Sequence, residues 1–156
     1  MARIDHFNNP NAPKPNSIMV AVTVFVQDEQ GRVLLIQRTD NGLWALPGGA
    51  QDFGEYISET AMRETREETG VEVEVAGIVG IYSNPNHVVE YGDGEVRQQF
   101  SICFRGRYVA GKPRTSDESS AVRWVGREEL DRLQIHPSMR LRIDRGLEQR
   151  QKPYIG

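Results

Sequence analysis

The order of patterns along the chain predicts a mixed α/β or α+β domain, and three observations carry that expectation. Apolar, β-branched runs come first, at residues 18–26 and 33–38. A glutamate-rich segment with helical spacing follows at residues 55–69, and more strand-like runs and a closing amphipathic stretch come after it. The 156 residues, 38% apolar and 26% charged, suit one hydrophobic core rather than a disordered chain. The expected organisation is an extended amino-terminal arm over residues 1–17, a single domain over 18–150 and a short tail over 151–156.

Proline and asparagine dominate the opening MARIDHFNNPNAPKPNS, which gives the arm its extended reading. The arm has neither the apolar core of a secretion signal nor the acid-free, arginine-rich composition of a transit peptide, so a cytoplasmic location is expected. No stretch approaches the roughly 20 apolar residues of a membrane helix. The run IMVAVTVFV reads as a strand covered on both faces, and QDEQGR as a turn into RVLLIQR, which together predict a hairpin. LWALPGG predicts a tight loop whose backbone approaches its surroundings closely. Gly70 stops the helix, and VEVEVAGIVGIY continues as a strand. SNPNHVVEYGDGE reads as a polar loop, VRQQFSICFRGRYV as a long strand, GKPRTSDESS as a loop and AVRWV as a short strand. A short helix over residues 127–133 and a second from Pro137 close the domain; Met139, Ile143 and Leu147 form a packing stripe on the second. Cys103 is the only cysteine, so the chain holds no internal disulfide, and its strand setting predicts a buried, inert thiol. A net charge of −3 argues against a nucleic-acid polymer as partner, but leaves a small nucleotide open.

The glutamates carry the chemistry. At about 100° per residue Glu64, Glu67 and Glu68 share a narrow arc of the helix, and Glu55 precedes it. Like charges three and four residues apart oppose the helix unless a cation is held there, and several hard oxygen ligands suit Mg²⁺ or Mn²⁺. A plain solvated face, with Arg63 paired to Glu59 and Glu67, is the competing reading of the charges alone. The order of residue types favours the metal. Gly49, five residues, Glu55, seven residues, Arg63-Glu64, two residues, Glu67-Glu68, one residue, Gly70 and aliphatic Val71 form an ungapped run of 23 positions.

This run resembles the Nudix box, and the elements from about Ile18 to Leu133 are similar to a Nudix hydrolase domain. Thr65 departs from the pattern, standing where an aliphatic or aromatic residue is usual. The resemblance implies an α/β/α sandwich with a mixed central sheet. It also implies Mg²⁺-dependent hydrolysis, with Mn²⁺ as a substitute, of the pyrophosphate in a nucleoside diphosphate linked to a group X. By motif position, Glu67 and Glu68 are the main metal ligands, Glu64 a metal or water contact and candidate base, Glu55 support for a second metal, and the Gly49 carbonyl a further ligand. Arg63 is expected to orient the carboxylates. Glu118, in the TSDESS loop, is the candidate base outside the box. Arg38 and Arg97 are candidate phosphate contacts, and Tyr82 a candidate for lining the substrate entrance. Pro85, fifteen residues after Gly70, leans the substrate towards ADP-ribose. The alternatives are a nucleoside triphosphate pyrophosphohydrolase, including one for oxidised dGTP, and a nucleotide-binding regulator without turnover. A homodimer is the expectation from resemblance.

Overall fold

The computed structural model describes residues 3–156. In chain order the elements are β1 (Arg3–Phe7), β2 (Ser17–Gln27), β3 (Val33–Arg38), β4 (Trp44–Ala45), β5 (Gly48–Ala50), α1 (Ile57–Thr69), β6 (Glu72–Tyr82), β7 (His87–Tyr91), β8 (Val96–Ala110), β9 (Ser119–Val125), a 3-10 turn (Arg127–Arg132), α2 (Pro137–Glu148) and β10 (Tyr154–Ile155).

Alternation along β2 decides the layering. Val22, Val24 and Val26 point to one face of the sheet, where they meet Leu34, Val73, Phe104 and Ala61 of α1. Phe25 points to the other, where Leu35, Cys103, Val125 and Ile143 of α2 surround it. The sheet is thus covered on both sides at these residues, one helix to each face, but the expected two-sided cover fails at the start of β2, where Ile18 and Val20 are exposed. This is the mixed α/β sandwich that the sequence predicts, and its strands run β1-β7-β8-β2-β3-β4 with β5, β6, β9 and β10 paired alongside. It is mixed because β2 lies parallel to β8 along its whole length, from Ser17↔Arg97 to Gln27↔Arg107, whereas β6, β7 and β9 pair antiparallel.

Three local expectations need correction. The predicted hairpin is only a corner: β2 meets β3 at the single pair Gln27↔Val33, after which β3 turns away to pair with β9 and β4. The polar loop after β6 contains β7, whose Val88 and Val89 are buried. The short helix near residue 127 is a 3-10 turn.

The two ends also join the sheet. Within the arm, Arg3–Phe7 pairs antiparallel with β7, from Arg3↔Tyr91 to Phe7↔His87. The proline- and asparagine-rich composition hides this short strand, since those residues lie after Phe7 and not within it. In the tail, Tyr154 and Ile155 pair parallel with Gly80 and Ile81. Thr65 shows how the box departure is absorbed: it is fully buried, and its Oγ1 donates to the Ala61 carbonyl at 2.8 Å, so no polar atom is stranded. No helix of the described residues is long and apolar enough to cross a membrane.

Candidate active site

Two glycines press the start of the box against the sheet. β5 pairs antiparallel with β2 at Ala21↔Ala50, Val22↔Gly49 and Thr23↔Gly48. A Cβ on Gly48 would run into the Val22 carbonyl, so only glycine fits against β2 there, and a Cβ on Gly49 would stand 2.5 Å from the Glu64 carboxyl and displace it. Helix α1 then buries Thr60, Ala61, Thr65 and Thr69, which turns Glu64 and Glu68 inward and leaves Glu67 on the outer side. Gly70 ends the helix at φ 76°, in the left-handed region.

Arg63 sits among the carboxylates. Its Nε donates to Glu55 Oε2 at 2.6 Å, and its Nη1 to Glu64 Oε1 at 2.9 Å and Glu67 Oε2 at 3.1 Å. Its Nη2 also donates to the Ala50 carbonyl at 3.2 Å, which ties α1 to β5. The box therefore has a local counter-charge, which a reading of the glutamates in isolation misses. Glu59 is not part of this network: it accepts the Tyr56 N–H at 2.7 Å at the start of the helix.

One cation among four carboxylates leaves an acidic excess, and its cost shows on the buried members. Burial pushes Glu68, 4% exposed, up to about 8; the Gly48 N–H at 2.8 Å opposes this, and the charges of Glu64 and Glu118 reinforce it. Burial raises Glu64 to about 7, with Arg63 lowering it and Glu67 and Glu118 raising it. Glu55 is different: the hydrogen bond from Arg63 holds it at about 2. Carboxylates crowded, part-buried and short of positive charge are a donor set that a divalent cation fits.

Glu118 belongs to the same neighbourhood. It is exposed on the loop before β9 and lines the cleft shared with Gly48 and Gly49. The loop is pinned on both sides, because the Ser119 hydroxyl donates to the Glu68 carbonyl at 2.9 Å and the Thr39 N–H to the Glu118 carbonyl at 3.2 Å.

The family model of the NUDIX domain matches residues 17–145. The chain belongs to the Nudix family. Its Nudix relatives include a "MutT-like protein" of Streptomyces ambofaciens, 37% identical over 76% of this chain and 71% of that one. A "putative 8-oxo-dGTP diphosphatase" of Bacillus subtilis is 33% identical over 65% of this chain and 62% of that one. An "ADP-ribose pyrophosphatase" of Methanocaldococcus jannaschii is 30% identical over 68% of this chain and 61% of that one. The Nudix chain is accordingly a pyrophosphohydrolase, and the names of its relatives divide on substrate.

The cleft, of about 230 Å³, runs from the Nudix box across the sheet to the start of α2. Arg38 and Arg97 both line it. Arg38 is paired with Asp40 at 2.7 Å, and Arg97 with Glu95 at 2.9 Å while its guanidinium lies 4.7 Å over the Tyr91 ring. Tyr82 departs from expectation: it is 8% exposed, its ring stacks on Tyr154 with centroids 5.0 Å apart, and it belongs to the core rather than an entrance. Sequence reasoning also missed Arg3, Asp5 and Arg142, which line the same cleft. The signal for the first two was the alternation Arg3, Asp5, Phe7, which places all three on one face of a strand.

Proposed function

We propose that this Nudix enzyme hydrolyses, with Mg²⁺ or Mn²⁺, the pyrophosphate of a nucleoside diphosphate derivative, with ADP-ribose the leading substrate. The observation that carries this reading is the acidic excess of the box, whose Gly49 and Ala50 line a cleft shared with arginines. Gly49, Glu55, Glu64, Glu67 and Glu68 would hold the metal, which when bound neutralises phosphate oxygens and acidifies a water. The chain's own residues do the remainder. Arg63 braces Glu55, Glu64 and Glu67 in one geometry. Glu64, held at about 7, is suited to take a proton from an attacking water near neutral pH, and Glu118 is the second candidate from across the cleft. Arg38 and Arg97 offer donors to phosphate oxygens if they exchange their carboxylate partners for substrate.

Pro85 and the archaeal relative favour ADP-ribose. The Bacillus relative favours the second reading, a nucleoside triphosphate pyrophosphohydrolase acting on oxidised dGTP. A regulator without turnover is disfavoured because every acidic position of the box is intact. The deciding experiment incubates the purified protein with Mg²⁺ or Mn²⁺ and ADP-ribose, NADH, diadenosine polyphosphates, nucleotide sugars, coenzyme A and normal or oxidised dNTPs. AMP with ribose 5-phosphate selects ADP-ribose; a dNMP with pyrophosphate selects the triphosphate reading and overturns the lean. Silence across the panel from a folded protein overturns both.

A further inference from the structure

Arg142 is the arginine of the cleft that lacks a carboxylate. Arg3, Arg38 and Arg97 are paired with Asp5, Asp40 and Glu95, whereas no ion pair among the described residues includes Arg142. It projects from α2, is 5% exposed, donates from Nη1 to the Ser138 carbonyl at 2.6 Å and lies 4.5 Å over the Tyr82 ring. Its Nε has no partner. A guanidinium taken out of water without a counter-charge costs several kcal/mol, and one carbonyl and one aromatic face return only part of that.

Other unmatched donors stand in the same cleft. Arg3 Nε and Ser101 Oγ are buried without partners, and both residues line it. Beside Arg142, His136 caps α2: the Ser138 N–H donates to its Nδ1 at 3.2 Å, so the neutral ring carries its proton on Nε2. His136 stacks on His87 at 5.3 Å, and His87 Nε2 donates to Asp5 Oδ1 at 3.2 Å. Asp5, His87 and His136 bring ligand atoms within 4.8 Å of one another, as a metal site would. Here, however, His87 Nε2 is engaged by Asp5, His136 Nδ1 by the α2 cap, and Asp5 is already paired with Arg3. The Arg3–Asp5 pair cancels its own charge. What remains is the Arg142 cation.

The strand order measures how far this lies from the box. From β5, which holds Gly49, the path crosses β2 and β8 to β7, whose His87 stacks on His136: three strand spacings of ~4.8 Å, or about 14 Å. Two phosphoryl groups sharing one bridging oxygen do not span that gap.

We propose that Arg142 and His136 form an anion subsite at the α2 end of the cleft, and that the substrate carries, besides its pyrophosphate, a phosphate monoester that binds there. The subsite rests on the pyrophosphohydrolase reading and turns its substrate from ADP-ribose itself, which has no phosphate monoester, to a phosphorylated nucleoside diphosphate derivative. Phosphate suits it better than a carboxylate, because its three terminal oxygens can take the guanidinium fork, the imidazole N–H and a further donor together.

Binding is tested without turnover. Thermal unfolding of the full chain is followed in EDTA with increasing inorganic phosphate, against acetate at equal ionic strength. EDTA leaves the box glutamates without a metal to attract the anion. The expected result is stabilisation by phosphate exceeding that by acetate, an unchanged response in Glu67→Gln, and affinity about tenfold or more weaker in Arg142→Met. Arg142→Lys keeps the cation but not the fork, and is expected to lie between. Equal responses to phosphate and acetate, or full phosphate stabilisation in both Arg142 variants, overturn the subsite.

Turnover is then compared for NADH against NADPH and dephospho-coenzyme A against coenzyme A, each pair differing by one phosphate. The expected outcome is a lower KM for the phosphorylated member of at least one pair, with the preference lost in Arg142→Met at little change in kcat. A preference that survives Arg142→Met contradicts the subsite. Loss of all turnover alongside retained phosphate binding would count against the hydrolase reading alone.

Discussion

Replacing Glu68 by glutamine separates the stability of the fold from its metal chemistry. Glu68 is buried, accepts the Gly48 N–H at 2.8 Å and is raised from 4.5 to about 8 without metal. A carboxyl with a raised folded-state pKa contributes fully below its unfolded value and loses that contribution as pH rises through the folded one. Each pH unit above 4.5 is worth about 1.4 kcal/mol, so at pH 7 the linkage reaches about 3 kcal/mol. Glu64, raised to about 7 in part by the same neighbours, titrates with Glu68 and shares this cost. Glutamine keeps an acceptor for Gly48 and removes the charge. In EDTA, Glu68→Gln is therefore expected to be more stable than wild type by about 1 to 3 kcal/mol at pH 8, with the gap nearly closed at pH 5. Urea unfolding at the two pH values measures this. Adding Mg²⁺ at a hundred times its Kd should stabilise wild type by about 2.7 kcal/mol and the variant far less. A variant less stable than wild type at pH 8 without metal, or an equal gap at both pH values, refutes the reasoning.

Asp5 gives the opposite pH sign. Burial raises it, but the hydrogen bond from His87 and the charge of Arg3 outweigh that and hold it at about 2, so its contribution is present above about pH 4 and lost on acidification. Urea unfolding of Asp5→Asn should show about 2 kcal/mol less stability at pH 5 and a shallower loss towards pH 2; a parallel acid profile would contradict the pairing. Gly49→Ala forces the Glu64 carboxyl away from a Cβ only 2.5 Å from it. Steady-state kinetics should show kcat down about tenfold to a hundredfold, with circular dichroism unchanged. Tyr82→Phe removes a buried hydroxyl that has no partner. Stability should stay level or rise by up to about 1 kcal/mol and KM should not move; a raised KM would return Tyr82 to the substrate entrance.

The site and the fold were legible to different degrees, for physical reasons. The box could be read because α1 is regular: fixed spacing puts Glu64, Glu67 and Glu68 on one arc whatever surrounds them, and Gly70 marks the end of the helix. The layering could be read from β2, whose nearly continuous apolar run asks for the two-sided cover that its second half has. Strand partners could not, because pairing β2 with β8 rather than β3 depends on residues some 80 positions apart and leaves no local pattern. Arg3 and Asp5 escaped notice because five residues of strand preceded a proline-rich stretch that set the reading of the whole arm. Arg142 escaped because one arginine on a helix otherwise marked by a packing stripe looks like surface. Only the tertiary fold shows that it is enclosed. The role of Arg63 was half visible: its spacing to Glu67 is helical, but its bonds to Glu55 and Ala50 depend on how the loop folds back.

The most direct measurement is the hydrolysis rate of the best substrate as Mg²⁺ is raised from zero, for wild type and Glu67→Gln. Saturable metal dependence in wild type, with turnover abolished in a normally folded Glu67→Gln, is the predicted result. Turnover in EDTA equal to that in Mg²⁺, or Glu67→Gln as fast as wild type, would contradict metal-dependent hydrolysis at the box.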